Sequence, residues 1–203
     1  MEQLIVKGLK SLNVNSEANV NKLLIYKDFL KKWNKVYNLT ALNDDEDIVI
    51  KHFFDSLTIN EYIQDHNLIL DVGTGAGFPG MILALFNPDK KFILVDGVAK
   101  KITFLNELKG KLGLKNVVSF HSKVEDLLLD KPVDMIVSRA FSEISNMMKL
   151  SKHLLSKEGK FFAMKGPEVD KELLGLGDQI NSVHLLKVPY YEGTRKLIII
   201  NNK

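Results

Sequence analysis

DVGTGAGFPG, residues 71–80, follows the apolar run LILDV (68–72) and places four glycines in ten positions. Such a run ends a strand and opens a turn whose backbone bends sharply and can lie close to a ligand. Two frames fit it. Gly75, Gly77 and Gly80 match the G-x-G-x-x-G of dinucleotide sites, whereas Asp71, Gly73, Gly75 and Gly77 match the acidic-x-G-x-G-x-G loop that holds S-adenosylmethionine (SAM). A dinucleotide fingerprint begins where its strand ends, so that a helix N-terminus meets the pyrophosphate. Here that frame starts two residues late. A carboxylate at position 71 would repel phosphate but suits the ammonium and sulfonium of SAM; its other use is to bond the loop's own amides. Gly80, after Pro79, reads as a helix-packing residue, because proline is at home in a first helical turn.

Further strands are expected at KFILVD (91–96), NVVSF (116–120), VDMIVS (133–138) and GKFFAMK (159–165), and helices at 79–86, 98–112, 124–129, 142–155 and 168–178. Alternation of this kind predicts βαβ units and a mostly parallel sheet. The last two strands, 181–190 and 194–201, are joined by a short turn at 191–193 and must form an antiparallel hairpin. The fold class is therefore α/β: a class I SAM-dependent methyltransferase, Rossmann-like, with a seven-stranded sheet closed by a C-terminal hairpin. Residues 66–203 are assigned to that core and 1–65 to a helical N-terminal cap. In the cap, Leu23, Tyr26, Leu30, Trp33 and Tyr37 recur every three or four residues, with Ser16 as a candidate N-cap. A second helix is predicted from about 46 to 63.

Asp96 ends the second strand, where a carboxylate can accept from both ribose hydroxyls of an adenosyl group. Val124 and Glu125 follow the third strand and either meet the adenine edge or start a helix. The fourth strand runs into Ser138-Arg139-Ala140-Phe141, at the end facing the acceptor. Arg139 offers a fork for carbonyl or phosphate oxygens and Phe141 a flat surface for a ring. Alternatively, Arg139 pairs with an acid and Phe141 packs under the next helix. The D/N-P-P-Y/F tetrapeptide common among enzymes that methylate exocyclic amines is missing here.

The chain has no cysteine, which excludes disulfides, thiolate metal sites and methyl transfer through a covalent Cys adduct. His121, His153 and His184 are scattered and give no metal-ligand spacing, so no metal is expected. No apolar run is long enough to cross a bilayer and the N-terminus lacks a signal-peptide pattern, so a cytoplasmic, monomeric protein is expected. Net charge is only +3, but it is segregated: seven lysines in residues 1–40 oppose three acids, and residues 41–60 carry five acids against Lys51.

The stretches KWNKVYNLTAL (32–42), HFFDSL (52–57), DVGTGAGFPG (71–80), VEDL (124–127), SRAF (138–141), MKG (164–166) and EGTRKLIII (192–200) together resemble the glucose-inhibited division protein B family, the 16S ribosomal RNA guanine-N7 methyltransferases. The resemblance runs through nearly the whole chain. It implies SAM binding at Gly73, Phe78, Val124, Glu125 and Arg139, a ribose contact at Asp96, and a guanine in the 530-loop region of 16S rRNA as substrate, naked or within a small subunit or its assembly intermediate. His52 and Asp55 match family positions; the alternative for this local helix pair is a purely structural role. Two departures stand out: the chain ends at Lys203 just after the last strand, leaving no tail for RNA contacts, and no basic cluster follows Gly166.

Guanine N7 exposes a lone pair, so direct in-line displacement with no general base is expected, with Arg139 orienting and Phe141 shaping the pocket. Lys27, Lys31, Lys32, Lys35, Lys165, Arg195 and Lys196 are the candidates for RNA phosphates. The competing readings are a SAM enzyme acting on another RNA, a small molecule or a protein side chain, a non-catalytic binding module, and an NAD(P)-dependent oxidoreductase.

Overall fold

The computed structural model describes residues 1–14 and 17–202, so the candidate cap Ser16 lies outside the described residues. Seven strands form one sheet: β1 (Leu68–Val72), β2 (Lys91–Asp96), β3 (Val117–His121), β4 (Val133–Arg139), β5 (Leu155–Lys165), β6 (Ile180–Leu186) and β7 (Arg195–Asn201), in the order β3-β2-β1-β4-β5-β7-β6. The first five run parallel, and β7 inserts antiparallel between β5 and β6. The order reverses between β1 and β4, and ligands of open α/β sheets bind at the carboxyl ends of strands beside such a switch point.

Successive side chains point to opposite faces, so each strand feeds two hydrophobic layers. Ile69, Phe92, Leu94, Val137, Phe162 and Ile199 face one side. They pack there with α1 (Glu2–Ser11), α2 (Glu17–Tyr37), the helical stretch 45–57, α5 (Gly80–Phe86) and α6 (Ala99–Leu112). Leu70, Val72, Val95, Ile136, Phe161 and Ile198 face the other side, with α7 (Ile144–Ser151) and short turns. The N-terminal helices thus share one continuous apolar cluster with the sheet.

The stretch 45–57 is not one regular helix. It comprises α3 (Asp45–Ile48), a π-helical turn (Val49–Phe54) and α4 (Asp55–Leu57), followed by a 3₁₀ turn at Asn60–Ile63. Asp44 caps it by accepting from the Glu46 and Asp47 amides. The region predicted as a helix at 168–178 holds only α8 (Asp170–Leu173) between 3₁₀ turns, because Gly175 and Gly177 (φ +52°) interrupt it. Between β3 and β4 only a 3₁₀ turn at Val124–Asp126 is helical. The hairpin connection runs from 187 to 194 and is longer than expected: β6 ends at Leu186, ahead of Pro189 and a left-handed Tyr190 (φ +63°). Among the described residues no helix is long and apolar enough to cross a membrane.

Candidate cofactor and substrate site

The glycine loop is built around a sealed carboxylate. Asp71 is fully buried, and its Oδ2 accepts from Thr74 Oγ1 (2.6 Å) and the Gly80 amide (2.8 Å). A Cβ at Gly80 would lie 2.4 Å from Leu94 and 2.7 Å from the same carboxylate, so α5 can start this close to β1 only on glycine. Gly73, Gly75 and Gly77 all have left-handed φ (+65°, +61°, +98°), and a Cβ at Gly73 would meet the Phe141 ring at 2.3 Å. Asp71 Oδ1, in contrast, has no hydrogen-bond partner. Burial pushes this carboxyl up to about 6.

Asp96, 6% exposed, holds the loop from the next strand. Its Oδ2 accepts from the Gly75 amide (3.0 Å) and Lys101 Nζ (3.1 Å), and its Oδ1 from the Val98 amide (2.9 Å). A carboxylate has about four acceptor positions, so three donors leave room for one ribose hydroxyl, and a second requires Lys101 to swing away. Beside it opens a cavity of about 300 Å³ lined by Gly73, Val95, Asp96, Gly97, Lys101, Ser122, Lys123, Val124, Glu125, Ala140 and Phe141. Five of the expected site residues, Gly73, Asp96, Val124, Glu125 and Phe141, therefore meet there. Larger hollows, of about 590, 580, 380 and 340 Å³, lie elsewhere and contain no residue of the loop; the first two are at the opposite strand ends.

Arg139 does not line this cavity. Its Nη1 donates to Asp55 Oδ2 (2.9 Å) and to the Lys51 carbonyl (2.9 Å), and its guanidinium lies 5.1 Å from the Phe78 ring centroid. Arg195 Nε donates to the other oxygen of Asp55 (3.1 Å), so two guanidiniums share one carboxylate that is 2% exposed. Arg139 Nη2 also meets His52 Nδ1 at 2.8 Å. Arginine only donates, so Nδ1 accepts and the ring proton sits on Nε2, which donates to Thr40 Oγ1 (2.8 Å). Burial, reinforced by the Arg139 charge, pushes this imidazole down to about 3 and keeps it neutral. Phe78 is buried and stacks between His52 (4.3 Å) and Tyr26 (5.4 Å), joining the loop to the helical segment rather than facing the cavity. The fork on Arg139 is thus occupied by an acid, the second of its two sequence readings.

Most of the candidate RNA lysines are occupied. Lys27 is 7% exposed between Asp28 (2.8 Å) and Asp45 (2.6 Å), and Lys31 also pairs with Asp45. Lys165 is held by Glu172 (2.9 Å) and the Ser142 carbonyl (2.6 Å), and Lys196 by Asp170 (2.6 Å). Only Lys32 and Lys35 stand exposed with no partner among the described residues. The basic first segment and the acidic second one, separate in sequence, meet at Asp45, which takes Lys27 and Lys31. Lys101, Ser122 and Lys123 were not expected in the site. Lys101 was detectable in principle, since a lysine in the first turn after Asp96 can reach back to it.

A βα loop of three left-handed glycines, an orphaned buried carboxylate oxygen and a ribose-type acid at the switch point fit SAM. Fold and site together define a class I SAM-dependent methyltransferase. Residues 19–198 match the family described as GidB, rRNA small subunit methyltransferase G, and the chain belongs to that family. It is 40% identical to ribosomal RNA small subunit methyltransferase G of Francisella philomiragia over 205 residues, covering 100% of this chain and 98% of that one. It is 43% identical to the Legionella pneumophila protein of the same name over 202 residues (100% and 95%). Among solved structures, SAM-bound magnesium protoporphyrin IX methyltransferase from Synechocystis shares the fold, with a TM-score of 0.61 at 16% identity, covering 89% of this chain and 97% of that one.

The orphaned oxygen of Asp71 gives the site a pH signature. Only the ionised form favours a cationic ligand, and the raised value puts its protonation inside the working range. SAM affinity is expected to fall as pH drops through about 6. In Asp71→Asn the affinity should be lower at pH 7.5 and flat with pH. Calorimetric titration at pH 5.5 to 8 distinguishes the two.

Proposed function

We propose that this rRNA methyltransferase transfers the methyl group of SAM to N7 of a guanine in the 530-loop region of 16S rRNA, by direct in-line displacement. SAM supplies an electrophilic methyl on a sulfonium. Asp96 and the glycine loop hold the adenosyl part, Val124 and Glu125 border the adenine, and Phe141 walls the cavity beside Gly73. Arg139, fixed by Asp55 and His52, orients the strand end that carries Phe141 instead of touching the ligand through a free fork.

The observation that carries the reading is the makeup of the cavity at the strand ends. It contains no histidine, and the one carboxylate with a raised pKa, Asp71, is sealed behind the loop. In this reading its carboxylates, Asp96 and Glu125, are committed to the ribose and the adenine, which leaves none at the acceptor to take a proton from an exocyclic amine, and N7 needs none removed. Residues 1–65 act as a cap on the 66–203 core, and the protein works as a cytoplasmic monomer on the small subunit or its precursor. Mapping the labelled methyl after incubating SAM with 16S rRNA and with small subunits tests this. A methyl on an exocyclic nitrogen, or none on either substrate, refutes it.

Lys32 and Lys35 remain the phosphate candidates of α2. Charge reversal at both should lower the salt dependence of RNA binding by about one to two units of logarithmic slope. The same change at Lys27 and Lys31 should instead break their pairs with Asp45 and lower the melting temperature.

A further inference from the structure

We propose that Tyr190 is a stacking platform for an unpaired nucleobase beside the target guanine, a role that rests on the RNA reading above. The residues that carry it sit in the loop 187–194, which joins β6 to β7 at the same end of the sheet as the glycine loop, since Lys196 pairs with Lys165 and Arg139 with Met164 there. Tyr190 has φ +63° and is 54% exposed. A bulky side chain in the left-handed region is an outlier that costs on the order of 1 kcal/mol or more and persists only where its surroundings hold it. Exposure to this degree recovers little of that cost by burial. Among the described residues its one ring contact is a tilted approach to Phe54 at 6.3 Å, at the end of the π-helical turn and next to Asp55. The loop is ordered from below: the Arg195 guanidinium lies 4.9 Å from the Tyr191 ring centroid while its Nε binds Asp55. The chain therefore holds an aromatic ring out into solvent at the strand-end side of the sheet, on a loop whose base is tied through Arg195 and Asp55 to Arg139. An exposed aromatic face on a loop whose base carries two guanidiniums sharing one carboxylate suits a base and its phosphate.

The test is steady-state methylation of 16S rRNA and of small subunits, with SAM affinity measured separately by calorimetry. Tyr190→Ala should raise KM for RNA by between about fivefold and a hundredfold, the range of one lost base stack, with SAM affinity unchanged. Tyr190→Phe should restore KM, because stacking needs the ring and not the hydroxyl. Tyr190→Gly should bind RNA as poorly as the alanine variant yet melt at the same temperature or higher, since glycine accepts this φ freely. An alanine variant with wild-type KM, or a phenylalanine variant as impaired as alanine, overturns the proposal. Failure of the wild-type chain to methylate either RNA would instead strike the RNA reading, and this inference with it.

Discussion

Replacing Asp55 with alanine is expected to destabilise the fold by about 3–5 kcal/mol, seen as a large drop in the urea midpoint. The carboxylate is 2% exposed and is shared by Arg139 and Arg195, whose side chains are 16% and 27% exposed. Its loss leaves two guanidiniums close together without an anion, in a setting that screens them poorly. His52 cannot compensate, because it is neutral and already occupied by Arg139 and Thr40. Arg195→Met in the Asp55→Ala background should recover part of the stability by removing one of the stranded charges. An Asp55→Ala midpoint equal to that of the parent would mean that solvent reaches this cluster freely.

The second large effect concerns the cofactor. Asp96→Ala should weaken SAM binding by about one to two orders of magnitude, since hydrogen bonds to a charged group contribute about 1.5–3 kcal/mol each. Two losses combine in that variant. The ribose loses the acceptor proposed for it, and the Gly75 and Val98 amides lose the group that fixes the loop and the start of α6. Lys101→Met separates them, because it frees an acceptor position on Asp96 and leaves both amides satisfied. Its SAM affinity should be equal to or higher than that of the parent. If Lys101→Met proves as damaging as Asp96→Ala, the lysine itself contacts the ligand. Calorimetry on the two variants decides.

The sheet was legible because each strand is an unbroken apolar run bounded by turn residues, and such runs need no partner to be recognised. LILDV and KFILVD coincide with β1 and β2 residue for residue. Element ends were less so: Val188, Pro189 and Tyr190 continue the apolar look of β6, and only the left-handed backbone at Tyr190 shows that the strand has stopped. The glycine loop, Asp96 and Phe141 were readable as a site because their spacing from strand ends fixes where they lie. The occupation of Arg139 was not. Its acid lies 84 positions earlier on an irregular helix, and no local pattern links them. The same holds for Lys27 and Asp45, whose pairing depends on how α2 and α3 cross.

The π-helical turn at Val49–Phe54 also bears on which length changes the chain can tolerate. A π turn is in effect an α-helix carrying one residue too many. A deletion of a single residue there would restore the regular i→i+4 ladder and leave the helix intact. Everything beyond it, however, would rotate by about 100° about the axis. His52 and Asp55 could then no longer both meet Arg139. In this segment chain length is set by the angle at which a carboxylate meets two arginines, and a gap that is harmless to the helix would disconnect residues 45–57 from the ends of β4 and β7.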